Sequence, residues 1–374
     1  MSWREMTLGE ITDLKRGFDL PKSQRLQGDV PVYSSSGITG SNSTAAVEGP
    51  CVITGRYGTI GEVFFSGGPC WPLNTALYST EFNGNNPRFV YYLLQTIPWQ
   101  GYTTASAVPG VNRNHVNLCP VKIPDKATQD AIVEVLDSIV DKIALNNQLN
   151  DYLFELVSSV FAHRFSDNVN TTELKNVLSI STKALKPQEH ADEIWEHYSI
   201  PAFDEKHRPI FEPASGIKSN KYQIDSGCIL ISKLNPSTKR IWMPCCSSNN
   251  AVCSTEFIVY RPYLKEYKSF YYAAIDSPRF TDYLLEHVSG STGSRQRAQP
   301  KDTLNYLMPN PDNEEIKDFC TFADPIYRHI QINEQQTAKL ELLRETLLPK
   351  LMSGAIDVSK VDLTQLTNNH LADC

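Results

Sequence analysis

Arg56, Tyr57 and Thr59 lie between the three glycines of GRYGTIG, residues 55–61. Glycines at intervals of three suggest a phosphate cradle, so nucleotide binding is the first chemistry to weigh. The spacing argues against it. A dinucleotide fingerprint needs G-x-G-x-x-G at the opening of a helix, and a P-loop ends in G-K-[ST]. Here the flanks are CVIT (51–54) and EVFF (62–65), β-branched and aromatic runs that read as strands. The glycines therefore predict a tight strand-to-strand turn, where positive φ carries no steric penalty. That turn presents a cation, a ring and a hydroxyl, which together suit a polyanion.

Other chemistries find less support. The nine cysteines contain no C-x-x-C pair and no histidine pair stands at zinc spacing, so reduced packing thiols are expected rather than a metal site. Asp167, Glu173 and Lys175 make a lone D…E-x-K in poor surroundings for a nuclease. A DNA amino-methyltransferase needs an N-P-P-[FY]-type motif and a cofactor-binding glycine loop. Neither is present, and Asn74-Thr75 and LNPS (234–237) do not substitute for them. No Ser/His/Asp arrangement stands out. The opening MSWRE is no signal peptide and no apolar run reaches 18 residues, so a soluble, cytoplasmic chain away from membranes is expected.

The 374 residues carry a net charge of −7, but its distribution is uneven. Residues 1–125 are neutral and 166–310 carry +1, whereas 126–165 carry −3 and 311–374 carry −5. The overall sign therefore excludes no polyanionic partner for the first and third segments.

The chain reads as a duplication. ALYSTEF (76–82) recurs as AVCSTEF (251–257), FVYYL (89–93) is echoed by FYYA (270–273), and IALN (143–146) returns as IQIN (330–333). The offset grows from 175 to 187, which implies loop insertions in the second copy. Each copy has a β-rich part, 1–125 and 166–310, followed by a helical part, 126–165 and 311–356, and 357–374 reads as a polar tail.

The helical parts carry a heptad seam. In the first it runs through Ile139, Ile143, Asn146, Asn150, Leu153 and Val157, and in the second through Ile326, Ile330, Asn333, Thr337, Leu340 and Leu347. Polar residues recur at matched positions, a pattern that sets register. Asp324-Pro325 reads as an N-cap and first helical residue, and Asp137-Ser138 as its counterpart. This predicts a short helix, a break, and a long helix in each copy, about 138–163 and 325–351, packed antiparallel. The fold class expected is α+β: two similar mixed α/β domains separated by two long antiparallel coiled-coil helices, with a pseudo-twofold axis.

A helix of about 26 residues spans roughly 39 Å, close to one turn of B-DNA at about 34–36 Å. Two domains so spaced would meet a duplex on one face and, differing in sequence, would read different half-sites. Candidate contacts are Arg56, Tyr57, Thr59 and Arg113 in the first copy. In the second, ISKLNPSTKR (231–240) takes the place of GRYGTIG and supplies Lys233, Asn235, Lys239 and Arg240. The loop SGSTGSRQR (289–297) adds Ser291, Thr292, Arg295, Gln296 and Arg297. Arg and Lys suit guanine, Asn and Gln suit adenine, and hydroxyls suit phosphate.

These features resemble a known family, the DNA-specificity subunits of type I restriction–modification systems. Three stretches carry the resemblance: WREMTLGEI (3–11) continuing through KRG (15–17) to PVYS (31–34); GRYGTIG paired with ISKLNP (231–236); and LRETLLPKLMSG (343–354), the most specific of them. Tyr57 departs from the pattern, where a basic or small residue is expected. The resemblance implies two target-recognition domains separated by helical spacers and a bipartite duplex DNA target. It also implies two methyltransferase subunits docked around the spacers and a restriction (motor–nuclease) subunit in the full complex. S-adenosylmethionine, ATP and Mg²⁺ would belong to those partners, with no cofactor and no catalysis in this chain. The alternative is a stand-alone bipartite DNA-binding regulator without enzymatic partners.

Overall fold

A computed structural model describes residues 3–103, 110–167, 170–289 and 296–361. The chain divides into two compact units, one formed by Met1–Ala144 with Ala338–Cys374 and the other by Leu145–Thr337.

In the first unit an antiparallel sheet contains β1 (Lys15–Arg16), β2 (Cys51–Gly55), β3 (Val63–Ser66) and β4 (Ala76–Ser79), in the order β1-β4-β2-β3. Every residue of β2 is buried, as an unbroken apolar run at a sheet centre must be. The β2–β3 turn is the glycine turn. A Cβ on Gly55 would lie 1.8 Å from the Thr59 carbonyl oxygen, and Gly58 adopts a φ of +79°. Helix α1 (Pro87–Gln95) follows, capped by the Asn86 side chain, which accepts from the Arg88 N–H at 2.8 Å. Phe89, Leu93 and Leu94 of α1 enter a core with Leu8, Ile11 and Val52. Helix α2 (Lys126–Phe165) adds Ile132 and Leu136 to this core.

The second unit repeats the connectivity. Strands β5 (Leu178–Ser181), β6 (Ile229–Ser232), β7 (Ile241–Trp242) and β8 (Phe257–Pro262) are ordered β5-β8-β6-β7. Helix α3 (Lys268–Asp276) stands where α1 stands, and α4 (Asn313–Met352) where α2 stands. Before each long helix the chain returns to its unit's first strand. Arg4–Thr7 pairs with Pro120–Ile123, and Thr171–Glu173 with Leu307–Pro309. The hydrogen bonds just beyond also match: Leu8 N–H to the Cys119 carbonyl and Leu174 N–H to the Tyr306 carbonyl, both 2.9 Å. The second copy enlarges the first copy's three-stranded sheet to five strands.

The duplication is real, but one of its sequence markers is misplaced. AVCSTEF does not occupy the position of ALYSTEF. Ala251–Ser254 lies in the five-stranded sheet, beside Ile194–Tyr198, and the counterpart of β4 is β8. The two stretches share a local device instead. Ser79 Oγ accepts from the Glu81 N–H at 3.1 Å and Ser254 Oγ from the Glu256 N–H at 3.2 Å. The shared letters encode a buried strand closed by a serine turn, which can serve at more than one place in a fold.

The long helices correct two further expectations. Neither breaks at 137–138 or 324–325: α2 and α4 are each continuous over 40 residues. The two aspartates do not cap. Asp137 accepts from Arg88 Nε at 2.8 Å and from the Tyr92 hydroxyl at 2.5 Å, and Asp324 accepts from the Ser269 hydroxyl. Each therefore ties a long helix to the short helix of its own unit. Pro325 loses one backbone bond, and buried Phe319, Ala323 and Ile330 keep the helix docked on both sides of it. Nor is 357–361 part of a polar tail. Val358 is buried in the first unit's core. At the end of α4, Gly354 takes a φ of +73° so closely against the Trp3 indole that a Cβ would lie 2.7 Å from it.

Within the second unit the helices run antiparallel. Asn146 Nδ2 donates to Gln336 Oε1 at 2.8 Å, and Asn333 Nδ2 donates to Asn150 Oδ1 at 2.8 Å. Phe154 then meets Tyr327 and Phe161 meets Phe319. Asn146 also reaches Thr337 Oγ1 at 3.5 Å. The pairs 146–337 and 150–333 exchange under the offset of 187, which is the arithmetic of a local twofold.

Candidate nucleic-acid interface

The glycine turn is held from both sides. The Arg56 N–H donates to the Thr75 carbonyl and the Arg56 carbonyl accepts from the Val111 N–H, both at 2.9 Å. This brings the turn against the segment that carries Arg113. The Arg56 guanidinium stacks on the Tyr57 ring, 4.6 Å from its centroid. Beneath the ring lies Gly110, where a Cβ would come within 2.2 Å of Tyr57 Cε1. Arg56, Tyr57 and Arg113 border a cleft of about 530 Å³ that also takes in Arg16 and Leu77. Thr59 lies on the turn itself, and its carbonyl faces Gly55.

The second unit builds the same scaffold. The Lys233 N–H donates to the Glu256 carbonyl and the Lys233 carbonyl accepts from the Ala298 N–H, both at 2.9 Å. Glu256 precedes β8 as Thr75 precedes β4, so Lys233 holds the place of Arg56. Asn235, at a φ of +49°, donates its N–H to the Gln296 carbonyl at 2.9 Å, and Leu234 bridges to Arg297. The turn and the 296–298 segment thus meet in this unit as well.

The remaining predicted contacts divide. Lys239 Nζ pairs with Asp276 Oδ1 at 2.6 Å. Arg240 makes a two-pronged bond to Asp204 at 2.6 and 2.9 Å, with only 11% of its side chain exposed. Arg240 is thereby largely buried in its ion pair, whereas Lys239 keeps 45% of its side chain exposed beside Asp276. Arg297 Nε lies 3.1 Å from Glu256 Oε2, with 47% of its side chain exposed. Ser291, Thr292 and Arg295 lie outside the described residues. Arg16 was not among the predicted contacts. Its signal was the KRG stretch, but nothing in the spacing from 16 to 56 and 113 shows that one strand pairing joins them.

A second polar cavity, of about 300 Å³, lies in the second unit and is lined by Asn150, Asp151, Phe154, His207, Glu334 and Thr337 among others. Burial pushes the Glu334 carboxyl up to about 8 and the His207 imidazole down to about 4. At 3.8 Å they have ion-pair geometry, yet between these values both are neutral. Glu334 favours folding below its unfolded value near 4.5 and loses that contribution as pH rises through 8. His207 disfavours folding only below about 6.5. Above that, Glu334 acts alone. Thermal midpoints of Glu334→Gln and the parent chain are expected to diverge between pH 6.5 and 8, the parent falling. A constant difference across that window would contradict this.

Among the described residues no group of three or more His, Cys, Asp or Glu side chains could hold a metal ion, and no helix is long and apolar enough to cross a membrane.

Comparison with known proteins agrees with this architecture. Residues 1–153 match the family model described as the type I restriction modification DNA specificity domain. The chain is 25% identical over 191 residues to the type I restriction enzyme HindI specificity subunit of Haemophilus influenzae, an alignment covering 44% of this chain and 41% of that relative. The chain thus matches less than half the length of that relative. A crystal structure of a type I restriction–modification system S subunit from M. genitalium superposes with a TM-score of 0.61 at 16% identity, covering 94% of this chain and 96% of that one. Residues 1–153 are thus similar to the type I restriction modification DNA specificity domain, and the chain as a whole shares the fold of the M. genitalium S subunit.

Proposed function

We propose that this chain is the DNA-reading subunit of a type I restriction–modification complex. It binds an asymmetric, interrupted duplex target, each unit reading one half-site. It performs no chemistry itself. Two methyltransferase subunits dock around α2 and α4 and a restriction subunit joins them, and these partners bind S-adenosylmethionine, ATP and Mg²⁺. The observation that carries this reading is the basic turn built twice on one backbone scaffold, with Arg56 in one copy and Lys233 in the other. A repeated scaffold with different side chains suits two different sequences, since base edges are told apart by side-chain donors and acceptors.

The test is a methylation map of genomic DNA from cells with and without the chain. The expected result is an interrupted motif whose methyl groups disappear without it. An unchanged map, with interrupted-site binding retained in vitro, would overturn the methyltransferase partnership and favour a stand-alone regulator. The long helices supply a further check. One heptad inserted at matched positions in α2 and α4 adds about 10 Å to each, close to three base-pair steps of about 3.4 Å. The gap between half-sites is expected to lengthen while both half-sites stay the same. An unchanged gap would contradict a spacer role.

A further inference from the structure

We propose that Arg56 reads a guanine of the first half-site from a fixed Arg56–Tyr57 stack, while Arg16 and Arg113 hold the surrounding phosphates. This rests on the DNA-reading function proposed above. All three arginines border one cleft, but they are not held alike. Arg56 is anchored through its own N–H and carbonyl, and its guanidinium lies on the Tyr57 ring at 4.6 Å. That ring rests on Gly110, which leaves no room for a Cβ. Arg113 and Arg16 are exposed, and Arg16 makes a loose surface ion pair with Asp19 at 3.9 Å.

A guanidinium carries donors only, in a rigid fork. In the major groove guanine presents two neighbouring acceptors, O6 and N7, that match the fork. A stacked guanidinium has already lost much of its rotamer freedom, so the penalty for ordering it on the DNA is small. This favours Arg56 as the base reader. Exposed arginines without a platform supply charge, which positions the duplex and carries no sequence information.

The second unit sharpens the assignment. Its equivalent position is Lys233, followed by Leu234 in place of Tyr57. A lysine is a point charge without a fork, and leucine offers no π face. The two turns therefore differ in the chemistry that would read a guanine bidentately from a stacked side chain, and only the first has it.

The experiment selects sites from a randomised duplex DNA pool with the full chain, Arg56→Ala and Arg56→Gln, the latter keeping much of the stem. Salt dependence is measured for Arg16→Ala and Arg113→Ala. The expected result is a motif with a guanine in one half-site. In both Arg56 variants the preference for it falls roughly tenfold to hundredfold, while the other half-site is selected as before and reports that the chain is folded. Arg16→Ala and Arg113→Ala keep the motif and each lower the salt slope by about one. If both Arg56 variants select the unchanged motif with uniformly weaker binding, Arg56 is a phosphate contact. The inference then fails and the DNA-reading function stands. If the unaltered chain selects no interrupted motif, that function fails and the inference with it.

Discussion

Replacing Phe319 by alanine is expected to destabilise the second unit by about 3–5 kcal/mol, the usual range for removing a fully buried phenylalanine. Phe319 is completely buried. Its ring lies 5.6 Å from Phe161, 5.7 Å from Phe165 and 5.9 Å from Phe270, each nearly edge-on. It therefore links α4, the end of α2 and α3 at one point. Phe319→Leu keeps most of the volume and is expected to cost clearly less. Urea unfolding checks both variants. A loss under about 1 kcal/mol for Phe319→Ala would mean the cluster repacks freely and does not hold α3 to the long helices. In the site-selection experiment this variant is expected to lose the second half-site before the first, because none of the four rings belongs to the first unit.

The second large effect concerns the buried asparagines. Asn333→Leu leaves Asn150 Oδ1 without its 2.8 Å donor in a closed interface. Stranding a buried acceptor costs about 1–3 kcal/mol. Asn150→Leu leaves the Asn333 amide short of its acceptor at similar cost. The double leucine variant removes both polar groups and is expected to recover most of the loss, because two apolar residues replace a pair whose burial was expensive. What it forfeits is discrimination: a seam apolar at every position accepts alternative registers more readily. A double-mutant cycle in urea measures the coupling. Strictly additive losses would show that the two asparagines do not act as a pair.

Several elements were legible from the residues alone because they depend on near neighbours. The glycine turn reads as a strand connector because its glycines stand between β-branched runs and demand positive φ. The long helices read from a step of three and four residues that places one stripe against a partner. The duplication shows in the repeated order of strand-rich and helical segments. The break expected before Ser138 and Pro325 failed for a reason that local sequence does not contain. Whether an aspartate caps a helix depends on what else claims its oxygens. Here the claimants are Arg88 and Tyr92 in one unit and Ser269 in the other.

The candidate interface divides along the same line. Residue type alone placed Arg56, Arg113 and Lys233 among the contacts, and it placed Lys239 and Arg240 there equally. Only the tertiary structure distinguished their surroundings, by setting Asp276 beside Lys239 and burying Arg240 against Asp204 and by bringing Arg16 into the cleft beside Arg56 through the pairing of β1 with β4. The sequence by itself determined that the strands flanking the glycine turn and the two long helical parts form, that the plan is written twice, and that each copy carries a basic turn. These follow from the geometry of a strand or a helix over a few residues. The tertiary structure alone decided which cations are paired within the chain, because that depends on carboxylates about 35 residues away and on the packing that brings them within 3 Å.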